Sequence, residues 1–111
     1  MKTYCGHRRD DGTCVVTVSG HGEHGFRALP WRLDLVNHSP DGFEWGYGGS
    51  GPSQLALAIL ADALADDELA DRLHQQFKWK FIAGLARDRP WIIKQKDVLK
   101  FAAPFTQEQD A

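Results

Sequence analysis

The sequence predicts an α+β fold in which a small antiparallel sheet of three to five short strands packs against two main helices. Apolar and polar residues alternate over residues 13–19, which is typical of a strand. A glycine-rich turn at residues 46–52 leads into a helix that is apolar on nearly every side, and such a helix belongs inside a core. A later segment repeats apolar residues every four positions, as a helix with one buried face does. We therefore expect the first helix to be largely buried and the second to cover it.

The strands are predicted from local pattern. Residues 2–6 and 13–19 are expected to form a hairpin whose loop ends in Asp11-Gly12, a dipeptide favoured in tight turns. Residues 32–36 are a predicted third strand, because their leucines share one face and their charged residues the other. Residues 91–93 are rich in Ile and Trp and predict a further strand.

Two helices are predicted, over residues 52–64 and 67–82. Lys80 is the exception in the second helix, because an ideal helix places it inside the apolar stripe. We expect its aliphatic stem to pack and its ammonium group to reach solvent. The alternative is an ion pair with Asp62 or Glu44.

The glycine-rich turn formally matches G-x-G-x-x-G, the pattern that binds a pyrophosphate at a helix N-terminus. A dinucleotide site also needs a following parallel strand, and here a second helix follows instead. Pro52 removes one of the amide donors that an anion would use. We therefore predict that the glycines lie at positions with a left-handed conformation or too little space for a Cβ atom.

The same stretch carries a resemblance. NHSPDGFEWGYGGSGP at residues 37–52 and QLALAILAD at 54–62 resemble a family of small bacterial proteins of unassigned function, and FKWK at 77–80 and Tyr4-x-Gly6 fit the same pattern. The resemblance implies an uncharacterised protein of the kind found in chromosomes, plasmids and phage-like elements. It implies no catalytic residues.

Length and composition indicate one domain, residues 1–105, followed by a flexible tail at 106–111. A short last helix is predicted over residues 97–102, before Pro104. Apolar content of 42% and charged content of 25% are ordinary for a globular domain. No apolar run approaches the roughly 18 residues that would span a bilayer. We expect no membrane partner and a cytoplasmic protein.

Charge is distributed unevenly around a net of −2. Residues 41–71 hold seven acids and no Lys or Arg, whereas residues 72–101 hold eight Lys or Arg and two acids. The two segments either neutralise each other within the fold or form a bipolar surface that steers a charged partner.

Metal-binding and catalytic motifs are incomplete in this sequence. His21-x-x-His24 lies in a glycine-rich segment, residues 20–25, that is predicted to be a mobile excursion. Cys5 and Cys14 are nine residues apart, without the paired spacing of a zinc site, and two free thiols are favoured over a disulfide. Ser50 is not in G-x-S-x-G. We expect no metal, no cofactor and no enzyme activity.

The leading hypothesis is a non-catalytic protein-interaction module, in the form of a mobile-element accessory protein that inhibits a bacterial defence complex, as an anti-CRISPR protein does. The alternative is nucleic-acid binding through the basic C-terminal third, where cations accompany aromatics. Four tryptophans are more than a small core readily encloses, and the two that follow a proline are expected to be partly exposed. The candidate partner-binding residues are Trp31, Asp66, Asp67, Glu68, Lys78, Trp79, Trp91, Lys94, Lys96 and Lys100.

Overall fold

Strands β1 (Thr3–Arg8) and β2 (Cys14–Ser19) form the predicted hairpin in the computed structural model, which describes residues 1–20 and 25–110. In the described part, β3 (Arg27–Ala28) extends the sheet beside β2, and β4 (Trp91–Lys94) extends it beside β1. The sheet is antiparallel throughout, with strand order β3-β2-β1-β4. The α+β prediction is confirmed.

Alternation along the strands places one face of the sheet in the core. Tyr4 pairs with Val18 on one side and Ile93 on the other, and all three side chains are buried. The residues next to each of these three along its own strand face outward, because successive side chains in a strand point to opposite faces. Cys5 lies opposite Thr17, three register positions from Cys14, and both thiols are free.

The predicted strand at residues 32–36 is wrong. Arg32 has a φ of 59°, and the amide of Leu35 donates to the Arg32 carbonyl in a turn. The Arg32 guanidinium binds Asp34 and also Asp67 in the second helix, which holds the left-handed conformation in place. A strand cannot contain that conformation. Residues 21–24, the centre of the predicted excursion, lie outside the described residues.

Helix α1 (Ser50–Leu64) is enclosed almost completely, as predicted. Its buried Gln54 fixes the preceding loop, because its side-chain oxygen accepts from the amides of His38 and Ser39. The side-chain amide of Gln54 donates to the carbonyl of Trp31 at 2.7 Å. A single buried side chain thus supplies hydrogen bonds to three backbone groups of the loop, which would otherwise lack these partners.

Helix α2 (Asp67–Phe77) continues into a π-helical turn (Lys78–Ile82), which the sequence did not predict. The amide of Ala83 donates to the Lys78 carbonyl at 2.8 Å, five residues back instead of four. Ala70, His74 and Lys78 are buried at four-residue spacing, so Lys78 follows the regular helical period up to the start of the π turn. Lys78 is 5% exposed, whereas Lys80 is exposed, with its ammonium about 6 Å from the ring centre of Phe101.

The alternative ion pair of Lys80 is wrong. Asp62 binds Lys2 and Arg27 instead, and Glu44 binds Arg8. Lys80 is exposed, which agrees with the expectation that its ammonium reaches solvent, and it lies within the π turn.

Helix α3 runs from Gln95 to Asp110, longer than the predicted helix over residues 97–102, and it continues through Pro104. Phe101 packs edge-on against Phe77 and Phe81, which joins α3 to α2 and the π turn. The predicted domain limit at residue 105 and the flexible tail stay predictions. None of the described helices has the length and apolar character needed to cross a membrane.

Candidate protein-interaction surface

The indole of Trp79 lies on Gly48. A Cβ atom at Gly48 would overlap the six-membered part of the Trp79 ring, so only glycine leaves room for this contact. Trp79 is nevertheless 63% exposed, because its opposite side meets no other part of the described chain closely enough to bury it. The Trp79 ring therefore packs against Gly48 on one side and remains exposed to solvent on the other.

Lys78 fixes the same contact from the π turn. Its ammonium nitrogen donates to the Gly48 carbonyl at 3.3 Å and lies 4.6 Å from the centre of the Trp79 ring. The cation therefore interacts with the indole while linking it to the glycine turn.

A second exposed aromatic lies next to the first along the turn. The Tyr47 ring occupies the space that a Cβ atom at Gly49 would take. The guanidinium carbon of Arg87 lies 5.1 Å from the centre of the Tyr47 ring. Gly46 has a φ of 88°, and a Cβ there would overlap the Arg87 side chain.

We call this assembly the glycine-turn surface. It consists of Tyr47, Lys78, Trp79 and Arg87, which lie on Gly46, Gly48 and Gly49. The prediction that these glycines occupy left-handed or crowded positions agrees with the geometry: Gly46 is left-handed, and all three are crowded by side chains.

The glycine-turn surface carries positive charge. Within residues 1–20 and 25–106, Lys78 and Arg87 form no salt bridge with a carboxylate. Glu44, the nearby acid, is bound by both terminal nitrogens of Arg8, and this hydrogen bonding lowers the pKa of Glu44. The Arg8 side chain also donates to the Arg87 carbonyl at 2.6 Å. Glu44 is therefore already neutralised by Arg8.

An open cleft of about 500 Å³ adjoins the surface and shares Tyr47 with it. Trp31 and Phe43 form an aromatic wall, with ring centres 6.1 Å apart, and Asp41 and Glu44 supply carboxylates. Trp31 is 44% exposed, which confirms its predicted partial exposure. The cleft and the glycine-turn surface together join exposed aromatics of three separate segments.

Catalytic groups are not assembled in the cleft. Burial raises the pKa of the Cys14 thiol to about 11, so it is protonated at neutral pH and a poor nucleophile. Ser50 lines the cleft, and the described residues include no hydrogen bond from its hydroxyl to a histidine or carboxylate. Absence of enzyme activity stays a prediction.

Metal ligands are not clustered in the described part of the chain, where no group of three or more His, Cys, Asp or Glu side chains could hold an ion. His21 and His24 lie outside that part, and the absence of a metal stays a prediction. The rings of His38 and His74 are tilted by 40° with centres 4.8 Å apart, and Nδ1 of His74 is bound to the Asp71 carbonyl.

The acidic candidates of the linker are largely occupied by structural contacts. The carboxylate of Asp66 caps α2 by accepting from the amide of Leu69, and Asp67 binds Arg32. These contacts stabilise a helix N-terminus and the loop beside it. Glu68 is exposed.

The remaining candidates separate into one buried residue and an exposed basic group. Trp91 is 6% exposed, so its predicted exposure is wrong: it lies on the inward face of β4 and packs edge-on against Trp45 at 5.5 Å. Lys94, Lys96 and Lys100 are exposed. Lys100 lines a second groove of about 400 Å³ with Lys80, Asp97 and the aromatic rings of Phe81 and Phe101.

Lys78 and Trp79, which are adjacent in the chain, were both predicted as partner-binding residues. Tyr47 was missed, and Arg87 was recognised only as part of the basic C-terminal third. The available signal was the aromatic residue set inside a run of glycines, since a glycine in a turn often makes room for a ring.

Comparison with protein families matches residues 4–104 to the model of an uncharacterised family. The chain belongs to the family of unknown function DUF6166. The match spans most of the chain and includes the whole glycine-turn surface. It confirms the predicted membership of an uncharacterised family. No curated protein and no solved structure matches the chain.

Proposed function

We propose that this protein is a non-catalytic protein-interaction module and that the glycine-turn surface is its contact site. The observation that carries the proposal is the position of Trp79, whose ring is fixed on Gly48 and 63% exposed. Tryptophan, tyrosine and arginine are the residues most enriched at interface hot spots. This surface presents one of each, already ordered, so binding costs little side-chain entropy.

A more specific proposal concerns the biological role of the protein and the kind of partner that it binds. The resemblance to proteins of chromosomes, plasmids and phage-like elements supports an accessory protein that acts in the bacterial cytoplasm and inhibits a defence complex, such as a CRISPR effector. An inhibitor of this kind acts by covering a surface of its target, so it needs a binding surface and no active site. Expression in a bacterium with an active CRISPR effector should raise the transformation efficiency of a targeted plasmid. Unchanged efficiency with each effector type tested would remove this finer proposal.

Nucleic-acid binding is the second candidate, and the second groove favours it. The ammonium of Lys80 lies about 6 Å from the ring centres of both Phe81 and Phe101, and Lys100 lines the same groove. Cations beside aromatic rings are the elements that single-stranded nucleic acid uses. Salt-sensitive retention of oligonucleotides that is lost in Lys80→Gln/Lys100→Gln would support this candidate.

Affinity capture from a lysate of the encoding bacterium tests the leading proposal, with nuclease treatment to remove nucleic acid. Trp79→Ala and Tyr47→Ala should each reduce the captured partner by about tenfold, the loss of one hot-spot contact. Phe26→Ala is the matched control, because Phe26 is 74% exposed and lies outside this surface. Equal capture by all variants, with unchanged melting, would contradict the proposal.

A further inference from the structure

The glycine-turn surface contains two cations whose charge the described fold does not balance with a carboxylate. Lys78 is 5% exposed, and burial of an ammonium group is costly unless the charge is compensated. An ammonium group has three donors. The structure gives it one hydrogen bond within the described residues, of 3.3 Å to the Gly48 carbonyl, together with the face of the Trp79 ring.

Arg87 is the accessible member of the pair. Its side chain crosses Gly46 and its guanidinium lies over Tyr47, so the group is oriented before any partner arrives. A guanidinium group stacked in this way leaves its edge donors available, and their spacing matches a carboxylate. Its backbone carbonyl is held by Arg8, which limits the movement of the segment.

We propose that the partner binds through an acidic protein segment in which carboxylates contact Arg87 and apolar side chains pack on Trp79 and Tyr47. Lys78 contributes a fixed positive charge beneath the indole. This inference rests on the proposed function, since it names the chemistry of the partner at the same surface.

A protein segment fits the charge balance better than a nucleic acid does. Nucleic-acid binding proteins that rely on the phosphate backbone typically engage about six to ten phosphates. The glycine-turn surface offers two cations, and the cleft beside it adds the carboxylate of Asp41, while Glu44 is already bound by Arg8. A uniformly anionic strand would meet repulsion at the cleft, whereas a short acidic segment need contact only the two cations.

The test uses the full chain, labelled with ¹⁵N, and follows the indole N–H signal of Trp79, which is identified by its loss in Trp79→Phe. The probe is the peptide EEFEEFEE. Its controls are KKFKKFKK and oligo-dT of similar length. We expect the acidic peptide to shift the Trp79 signal saturably, with a dissociation constant about tenfold lower than that of either control.

Matched variants locate the contact. Arg87→Gln should weaken the acidic peptide by about threefold to tenfold, the usual range for one charge-assisted contact. Arg89→Gln removes the same charge from an exposed residue nearby in sequence and should leave the affinity unchanged. An equal effect of the two variants would overturn the proposal in favour of nonspecific attraction.

Other outcomes are equally decisive. Tighter binding of oligo-dT would assign the surface to nucleic acid, and no saturable shift would reject the acidic segment. A dimer in sedimentation that Arg87→Gln dissociates would make a second copy of this chain the occupant and overturn the proposal. If capture of the lysate partner depends on Trp79 and Tyr47 while the acidic peptide does not bind, the proposed interaction surface is supported. The proposal that the partner segment is acidic is then rejected.

Discussion

Two of the tryptophans that lie against a glycine, Trp91 and Trp79, have opposite surroundings. Trp91 lies over Gly6, its cross-strand neighbour in the sheet, and a Cβ atom at Gly6 would overlap the indole. Trp79 lies over Gly48 in the same manner. Trp91 is 6% exposed and Trp79 is 63% exposed.

The difference comes from what lies on the second face of each ring. Trp91 points to the inward side of the sheet, where Trp45 meets it edge-on and α1 closes the core. Trp79 projects from a π turn on the outer side of the glycine turn, where the described chain adds Lys78 and nothing that encloses the ring. The same glycine contact therefore stabilises the fold in one place and orders an exposed ring in the other.

The largest expected effect is on the buried member. Trp91→Ala should lower the free energy of unfolding by about 3 to 5 kcal/mol, because it removes a large aromatic side chain and leaves a cavity. Urea denaturation measures the loss. A loss below about 1 kcal/mol would show that Trp91 is not a core residue and would remove the contrast with Trp79.

A smaller loss is expected when a side chain is added to the glycine turn. Gly49→Val should lower the free energy of unfolding by about 1 kcal/mol or more, because the new Cβ would displace the Tyr47 ring. Gly84→Val is the control, since no atom lies within 4 Å of a Cβ at that exposed position. Melting of Gly49→Val within a degree of the parent would contradict the steric explanation.

Removal of the exposed ring should have little effect on folding. Trp79→Ala is expected to change the free energy of unfolding by less than about 1 kcal/mol, because the ring buries little area. The same urea measurement used for Trp91→Ala gives the comparison directly. Similar losses for the two variants would mean that Trp79 is a structural residue.

The smallest effect concerns the titration of His38. Burial lowers the pKa of His38, with the charges of His74 and Lys78 adding to the effect and Asp71 opposing it. The unfolded chain therefore binds more protons than the folded one below the ordinary histidine pKa of about 6.5. Stability should be retained above that pH and lost as the pH falls through the pKa of folded His38.

The measurement is the melting temperature of the protein and of His38→Gln across this pH range. The parent should lose more stability on acidification than the variant, whatever their difference at neutral pH. Parallel curves would show that folding does not lower the pKa of His38.

Local patterns were sufficient for most of the fold. The alternation over residues 13–19 gave the hairpin, and the absence of a polar face on α1 gave its burial. They failed where distant residues decide. Arg32 has a left-handed backbone and its side chain binds Asp67, 35 residues away, and no strand pattern can report that contact.

The candidate site was predictable only in part for the same reason. Crowding at the glycine turn followed from composition, but the groups that crowd it come from the π turn and from Arg87. The regular helical period placed Lys80 inward, whereas the structure exposes Lys80 within the π turn and buries Lys78. A proline before Trp91 suggested exposure, whereas the register of β4 against β1 buries it.

Site-specific photo-crosslinking in cells tests the central claim most directly. A photoreactive phenylalanine analogue replaces Trp79 in one variant and Phe26, which is more exposed, in a second. The glycine-turn surface predicts a discrete protein adduct at position 79 that is absent at position 26 and reduced by Arg87→Gln. No adduct at position 79, or the same adduct at both positions, would contradict an interaction site at this surface.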